Sequence, residues 1–264
     1  MKKDTIQKPL YILKLGGSVI TNKAENKLEF YPKIIERISD EINKAKEKKQ
    51  FSLIIVHGVG PYGHRLTKEY NIKDGITTPL QYEGFHRTHE SVCSLNKEIT
   101  RIMQEKLLLQ NFIPLDIFIT QNKKIKLAET TAIRQALEYQ KIPVLFGDMV
   151  VDEQLTAIPL SGDDIACYLA QQLNADILFF GSDVDGIYDN KKETIKEINK
   201  ENISQYTKAI GESKHIDVTG GMRNKLEKVQ QYKNKYITYI FNLNKEKALY
   251  NNLIGKYNGT KIEL

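Results

Sequence analysis

The chain has 264 residues, 41% hydrophobic and 27% charged, enough for a large core and, in an α/β arrangement, for one domain. Its mean hydropathy is -0.43 and no apolar run is long enough for a transmembrane helix, so a membrane-spanning protein is not expected. The net charge is +6, but the lysines are spread along the chain with no nucleic-acid-binding motif beside them. They read as a solvated coat that also favours anionic substrates, and neither a nucleic-acid nor a membrane partner is expected.

Leu10-Tyr11-Ile12-Leu13 reads as a first strand, because the run carries a lysine and stops at Gly-Gly, unlike a signal peptide. It continues into Lys14-Leu15-Gly16-Gly17-Ser18, with Thr21 and Lys23 just beyond. From Pro32 the pattern turns helical, with Ile34, Ile35, Ile38, Ile42 and Ala45 on one face and a proline suited to the first turn. Leu53-Ile54-Ile55-Val56 is apolar without alternation, so the spacing predicts a strand buried on both faces, as in a parallel sheet. The run breaks at His57 into Gly58, Gly60 and Gly63, and His64 closes the loop. Successive N–H groups in such a turn form a concave anion site, and a histidine there can donate to an anion. The strand–helix–strand order predicts a right-handed βαβ unit.

Residues 65–80 read as a short helix and a loop, and a long helix is expected over about 84–109, with Val92, Leu95, Ile99, Ile102 and Leu107 on its apolar face. Ile113 to Ile119 reads as a strand, Thr130 to Tyr139 as a helix, and Pro143 to Phe146 as a buried strand ending at Gly147-Asp148. A hairpin is expected over Met149 to Ile158, then a helix opened by Ser161-Gly162-Asp163-Asp164 and running to Leu173. Ile177 to Phe180 is a strand closing on Asp183-Val184-Asp185-Gly186, and the Lys-Asn-rich stretch Asn190 to Asn202 reads as exposed and mobile. Val218-Thr219-Gly220-Gly221-Met222 leads into a helix carrying Lys225, and Tyr236 to Phe241 is a late strand. Strands alternating with helices predict an α/β fold, a three-layer αβα sandwich with an open, mainly parallel central sheet. Its functional loops are expected at the carboxyl ends of the strands.

Each chemical feature also has a plainer reading. A strand-end lysine such as Lys14 usually snorkels, Ser161-x-x-Asp164 also reads as a helix start, and Asp-Gly turns are common without function. Cys93 and Cys167 lie in helical patterns, which predicts free thiols in a reducing cytoplasm. His86 and His89 read as exposed or pocket-lining, and no protein metal ligand is expected, because Cys and His show no metal-ligand spacing. What lowers the plain readings is repetition. Several glycine loops and lysines converging on one site suit a polyanion.

Taken in order, KLGGS at 14–18, HGVGPYGH at 57–64, SGDD at 161–164, the DVDG turn at 183–186 and DVTGGMRNK at 217–225 resemble the amino acid kinase superfamily. Within it, a second histidine closing the glycine loop is similar to the isopentenyl phosphate kinases. The resemblance implies an open αβα fold, Mg2+ and ATP as cofactors, a homodimer, and phosphorylation of isopentenyl phosphate to its diphosphate in an alternative mevalonate route. It implies that Lys14, Leu15, Gly16, Gly17 and Ser18 line the ATP phosphates and that Lys23 stabilises the transition state. By the same motifs Gly58 and His64 hold the acceptor phosphate, the Val59 backbone faces ATP and Gly162 touches the acceptor. Asp183, Gly221 and Lys225 fall on the nucleotide side, with Lys14, Lys23, His64 and Lys225 as the catalytic set. Residues 1–145 are expected to serve mainly the acceptor and 146–264 mainly ATP. The chain departs from the family where HGGG is usual, having Val59 at the third position, and has Pro61-Tyr62 in place of Ser-Phe or Ala-Phe. The competing expectations are a kinase of the same fold for a phosphonate, carboxylate or nucleotide acceptor, and a non-catalytic nucleotide-binding protein. His64 favours a phosphate or phosphonate acceptor.

Overall fold

The computed structural model describes residues 8–22, 28–189, 191–206, 221–232 and 236–264. Its frame is an eight-stranded sheet. The strands are β1 (Leu10–Leu15), β2 (Ser52–His57), β3 (Leu109–Asn111), β6 (Ile142–Phe146), β9 (Ile177–Ser182), β10 (Glu197–Asn199), β11 (Ile237–Asn242) and β12 (Thr260–Glu263). Their order is β10-β12-β11-β9-β1-β2-β6-β3, and every neighbouring pair is parallel except β11–β12. A second, four-stranded sheet is built from β4 (Phe118–Gln121), β5 (Lys124–Ala128), β7 (Asp148–Asp152) and β8 (Thr156–Leu160), in the order β5-β4-β7-β8.

The strand pleat sends alternate residues to opposite faces, and each face has its own core. Tyr11, Leu13 and Leu15 of β1 pack with Leu53, Ile55, Phe179 and Phe241 against α2 (Pro32–Lys48) and α4 (Pro79–Met103). Ile12 faces the other way, with Ile54, Val56, Leu178 and Phe180, against α7 (Gly162–Gln172) and α8 (Gly221–Gln231). By this alternation Lys14 shares the face of Ile12, so β1 delivers an ammonium into the layer where α7 begins. A smaller apolar cluster of Ile72, Ile76, Phe85, Met149 and Ala157 joins α4 to the second sheet.

The expected αβα sandwich with a mainly parallel sheet is what forms, and most expected elements are present. The long helix starts earlier than its apolar pattern suggests: Thr78 and Gln81 make a reciprocal capping box, with Pro79 in the first turn. The run Ile113 to Ile119 is not one strand, because Pro114 opens the short helix α5 (Pro114–Ile117) before β4 resumes. β5 was not anticipated; three of its five positions are lysine or alanine, and it pairs at a sheet edge with β4 alone. The stretch around Asn190 to Asn202 includes β10, whose Ile198 is fully buried against the edge of the main sheet. Asn190 itself lies outside the described residues. Among the described residues no helix is long and apolar enough to cross a membrane.

His57, the last residue of β2, is fully buried and stacks on Phe146 with ring centroids 5.4 Å apart. Its ring nitrogens lie 3.0 Å from the Gly58 carbonyl oxygen and 3.1 Å from Asn96 Oδ1 of α4. Burial lowers its pKa against the opposing effect of these hydrogen bonds, so the ring is neutral at pH 7. A group with a depressed folded pKa stabilises the fold above its unfolded pKa, and that contribution falls as pH drops below about 6.5. We expect His57→Ala to lose roughly 2–4 kcal/mol in urea unfolding, through a cavity and an unpaired Asn96. The variant's stability should also vary less than the parent's between pH 6.5 and 5. An unchanged midpoint would remove this role.

Candidate active site

The carboxyl ends of β1, β2 and β9 and the first turn of α7 meet in one cleft of about 1360 Å³. Two glycine loops form its floor in backbone-to-backbone contact. A Cβ at Gly58 would lie 2.6 Å from the Gly17 nitrogen, and one at Gly17 would lie 2.8 Å from the Gly60 nitrogen. Gly16 N–H donates to the Gly181 carbonyl at 2.8 Å and Gly58 N–H to the Leu15 carbonyl at 2.8 Å, locking the two loops to adjacent strands. Glycine is required here because no side chain fits between the backbones. Gly60 has φ 49° and ψ -137°, and a Cβ there would collide with Thr21 Oγ1 at 2.1 Å. Val59 is not among the residues with positive φ. The left-handed turn falls on Gly60, so a β-branched residue fits before it.

Beside this floor sits a charge cluster. Lys14 Nζ lies 2.7 Å from Asp163 Oδ1, and Lys225 Nζ lies 3.1 Å from Asp163 Oδ2. The Lys14 contact is a close ion pair. Burial pushes the Asp163 carboxyl up, but the two ammonium charges more than offset it and hold the group well below the usual carboxylate range. Burial in turn lowers the pKa of Lys14, with Lys225 adding to that and Asp163 opposing it. Next to this cluster Lys228 Nζ meets Asp164 Oδ1 at 2.5 Å. Ser161 caps α7 by accepting from the Asp164 N–H at 3.1 Å, which fixes the first turn and the aim of Asp163.

His64 lies on α3 (Pro61–Glu69), one turn in from Gly60, and lines the cleft. Partial burial lowers its pKa and the Lys14 charge lowers it further. Val59, Gly63, Thr88, Val92, Gly147, Asp148 and Leu160 shape the wall at that end. Ser182, Asp183, Asp185, Tyr188 and Met222 shape the other. Asp185 is committed to Lys245, at 2.7 Å, and to Asn242, whose Nδ2 donates at 3.0 Å.

Of the residues singled out in the sequence, Lys14, Gly16, Gly17, Ser18, Gly58, Val59, His64, Gly162, Asp183 and Lys225 all line this cleft. Leu15 does not: it is fully buried with its side chain in the core beneath. Gly221 opens α8, which carries Met222 and Lys225 into the cleft wall. Lys23 lies outside the described residues, as do Val218, Thr219 and Gly220. The sequence reading missed Asp163, which joins two of the lysines; the available signal was the second acidic residue in the Ser-Gly-Asp-Asp turn. It also missed Lys228, three residues after Lys225 on one helix face, and Arg65. Arg65 lines the cleft with its Nε buried and without a hydrogen-bond partner.

Residues 9–241 match the model of the amino acid kinase family. An isopentenyl phosphate kinase of Methanocaldococcus jannaschii is 36% identical over 262 residues, covering 96% of this chain and 98% of that protein. An isopentenyl phosphate kinase of Methanothermobacter thermautotrophicus is 30% identical, with 83% of this chain and 85% of that protein covered. A crystal structure of an isopentenyl phosphate kinase superposes with a TM-score of 0.81 at 28% identity, covering 96% of this chain and 99% of its own. With the glycine loops, the lysine–aspartate cluster and these likenesses in agreement, the chain belongs to the amino acid kinase family.

Proposed function

We propose that the protein transfers the γ-phosphoryl group of ATP to isopentenyl phosphate, giving isopentenyl diphosphate and ADP. The observation that carries this reading is the cationic centre of Lys14 and Lys225 on Asp163, set beside two glycine backbones with His64 on the same cleft. A phosphate monoester has a second pKa of about 6, so it is already a dianionic nucleophile at neutral pH and needs no base. Asp163 fits that chemistry, because the two ammonium groups hold its pKa well below the usual carboxylate range and leave it a weak base. The barrier lies in bringing two anions together, and cations fixed in advance lower it where charge builds up.

In this reading Lys14 and the amides of the Gly16–Ser18 turn attend the ATP phosphates, with Lys225 and Asp183 on the nucleotide side. Gly58 offers its turn and His64 its ring to the acceptor phosphate, and Gly162 lies against the acceptor. Residues 1–145 serve mainly the acceptor and 146–264 mainly ATP. Lys23 joins the catalytic set by its motif. Mg2+ would come with ATP and neutralise phosphate charge; the hard carboxylate oxygens of Asp183 at that end of the cleft suit it. A homodimer is the assembly the family resemblance suggests. A carboxylate acceptor would also need no base, and the histidine beside Lys14 is what favours a phosphate.

Steady-state kinetics test these assignments. Lys14→Ala and Lys23→Ala should lower kcat far more than they raise KM for isopentenyl phosphate, since their charge matters most in the transition state. Near-normal kcat in both would count against the cluster. Asp163→Asn should leave two ammonium groups facing each other, lowering stability by roughly 3 kcal/mol as well as kcat; a variant as stable as the parent would show that the triad is not coupled. His64→Ala should cut kcat/KM for isopentenyl phosphate by about tenfold to a hundredfold, the worth of one hydrogen bond to a charged group, with KM for ATP nearly unchanged. If the ATP KM moved instead, His64 would belong to the nucleotide side.

A further inference from the structure

One cluster of ligating side chains stands outside the lysine–aspartate centre. His89 and Cys93 are four apart on α4, so they share one helix face. Asp148 faces them from the first position of β7. His89 Nδ1 lies 2.9 Å from Asp148 Oδ1 and 3.1 Å from Oδ2. Cys93 Sγ lies 3.8 Å from the same nitrogen and 3.6 Å from Nε2. One donor atom from each residue falls within a sphere where all are no more than 4.8 Å apart.

From these distances we propose that His89, Cys93 and Asp148 form a Zn2+ site. In a tetrahedral zinc site, bonds of about 2.0–2.3 Å put neighbouring donors roughly 3.3–3.7 Å apart. The Nδ1–Sγ separation lies just above this range, and the Nδ1–Oδ1 separation just below it, so each has to shift by only a few tenths of an ångström. The donors are set by the fold rather than by flexible loops. α4 is anchored by its capping box, and Asp148 Oδ1 accepts from the Met149 N–H at 2.8 Å. A carboxylate so held has the outer support that metal ligands usually have. The nitrogen, sulfur and oxygen set suits a borderline-soft ion, and the thiolate discriminates against the Mg2+ that accompanies ATP. Three protein ligands leave a fourth position for water. The spacing in the sequence is His-x-x-x-Cys, which a search for paired histidines passes over, and the third ligand is 55 residues beyond Cys93.

Without metal the cluster is an ion pair. Asp148 raises the pKa of His89 to about 10, so the imidazole carries a proton at pH 7.5. Zinc would have to displace that proton. Binding would tie α4 to β7, and both elements supply the wall of the cleft beside His64, through Thr88, Val92 and Asp148.

The test uses the full chain freed of metal with a chelator. Isothermal titration with Zn2+ should give one ion per chain. Co2+ should add a thiolate-to-metal absorption band, and Zn2+ should raise the melting temperature. Cys93→Ser should abolish the band, and Cys93→Ser and His89→Gln should each weaken Zn2+ binding by more than about tenfold. Circular dichroism on each variant verifies that it is folded. Zn2+ binding unchanged in both variants, or a cobalt complex with no thiolate band, would overturn the site and leave His89–Asp148 as a simple ion pair; the kinase reading would be untouched.

Discussion

The cleft depends on one carboxylate. Asp163 has little contact with solvent, with a side chain only 16% exposed, and its two oxygens each face a different ammonium. Removing an isolated charge from water is costly, and the carboxylate supplies the counter-charge for the buried Lys14. The aspartate meets that requirement while leaving a net positive centre. It comes from the first turn of α7, where the helix N-terminus itself favours an anion. The same residue therefore serves the stability of the fold and the alignment of the two cations. The lysines arrive on different elements, β1 and α8, and only the shared carboxylate fixes the distance between them.

Backbone contact supplies the second constraint. The turns after β1 and β2 touch through Gly17, Gly58 and Gly60, where added Cβ atoms would overlap main-chain or side-chain atoms at 2.1 to 2.8 Å. Parallel pairing of β1 with β2 in register, Leu15 opposite His57, brings both turns to the same edge of the sheet. The sheet topology thus determines where the amides gather, and the glycines let them gather closely. A neutral, buried His57 locks the last residue of β2 to α4, so the second turn cannot drift away from the first.

Much of this was legible in the sequence, for physical reasons. Uninterrupted apolar runs such as Leu53 to Val56 mark strands buried on both faces, and the glycine clusters that follow them mark close backbone approach. His57 ends the strand and is structural, whereas His64 lies a turn into the helix and lines the cleft. What was not legible depends on tertiary pairing. Asp163 and Asp164 look alike in a helix first turn, yet one bridges Lys14 and Lys225 while the other meets Lys228. β5 and β10 are short edge strands, and their pairing partners rather than their own patterns define them. The motif positions of Lys23 and Gly220 fall on residues outside the described ones.

The valine in the glycine loop shows how a motif can change while its geometry persists. Where the family resemblance implies three glycines after the histidine, this loop has Val59, and the left-handed conformation falls on Gly60. Val59 keeps ordinary angles, and its methyl groups pack toward Gly63 and Gly147. A Cβ at Gly63 would approach Val59 Cγ2 to 2.6 Å, so the helix that carries His64 can come this close only because position 63 has no side chain. Val59 also places two methyl groups in the wall of the cleft at the His64 end. A residue that departs from the glycine pattern thereby keeps the backbone geometry of the loop and adds apolar surface to the cleft wall.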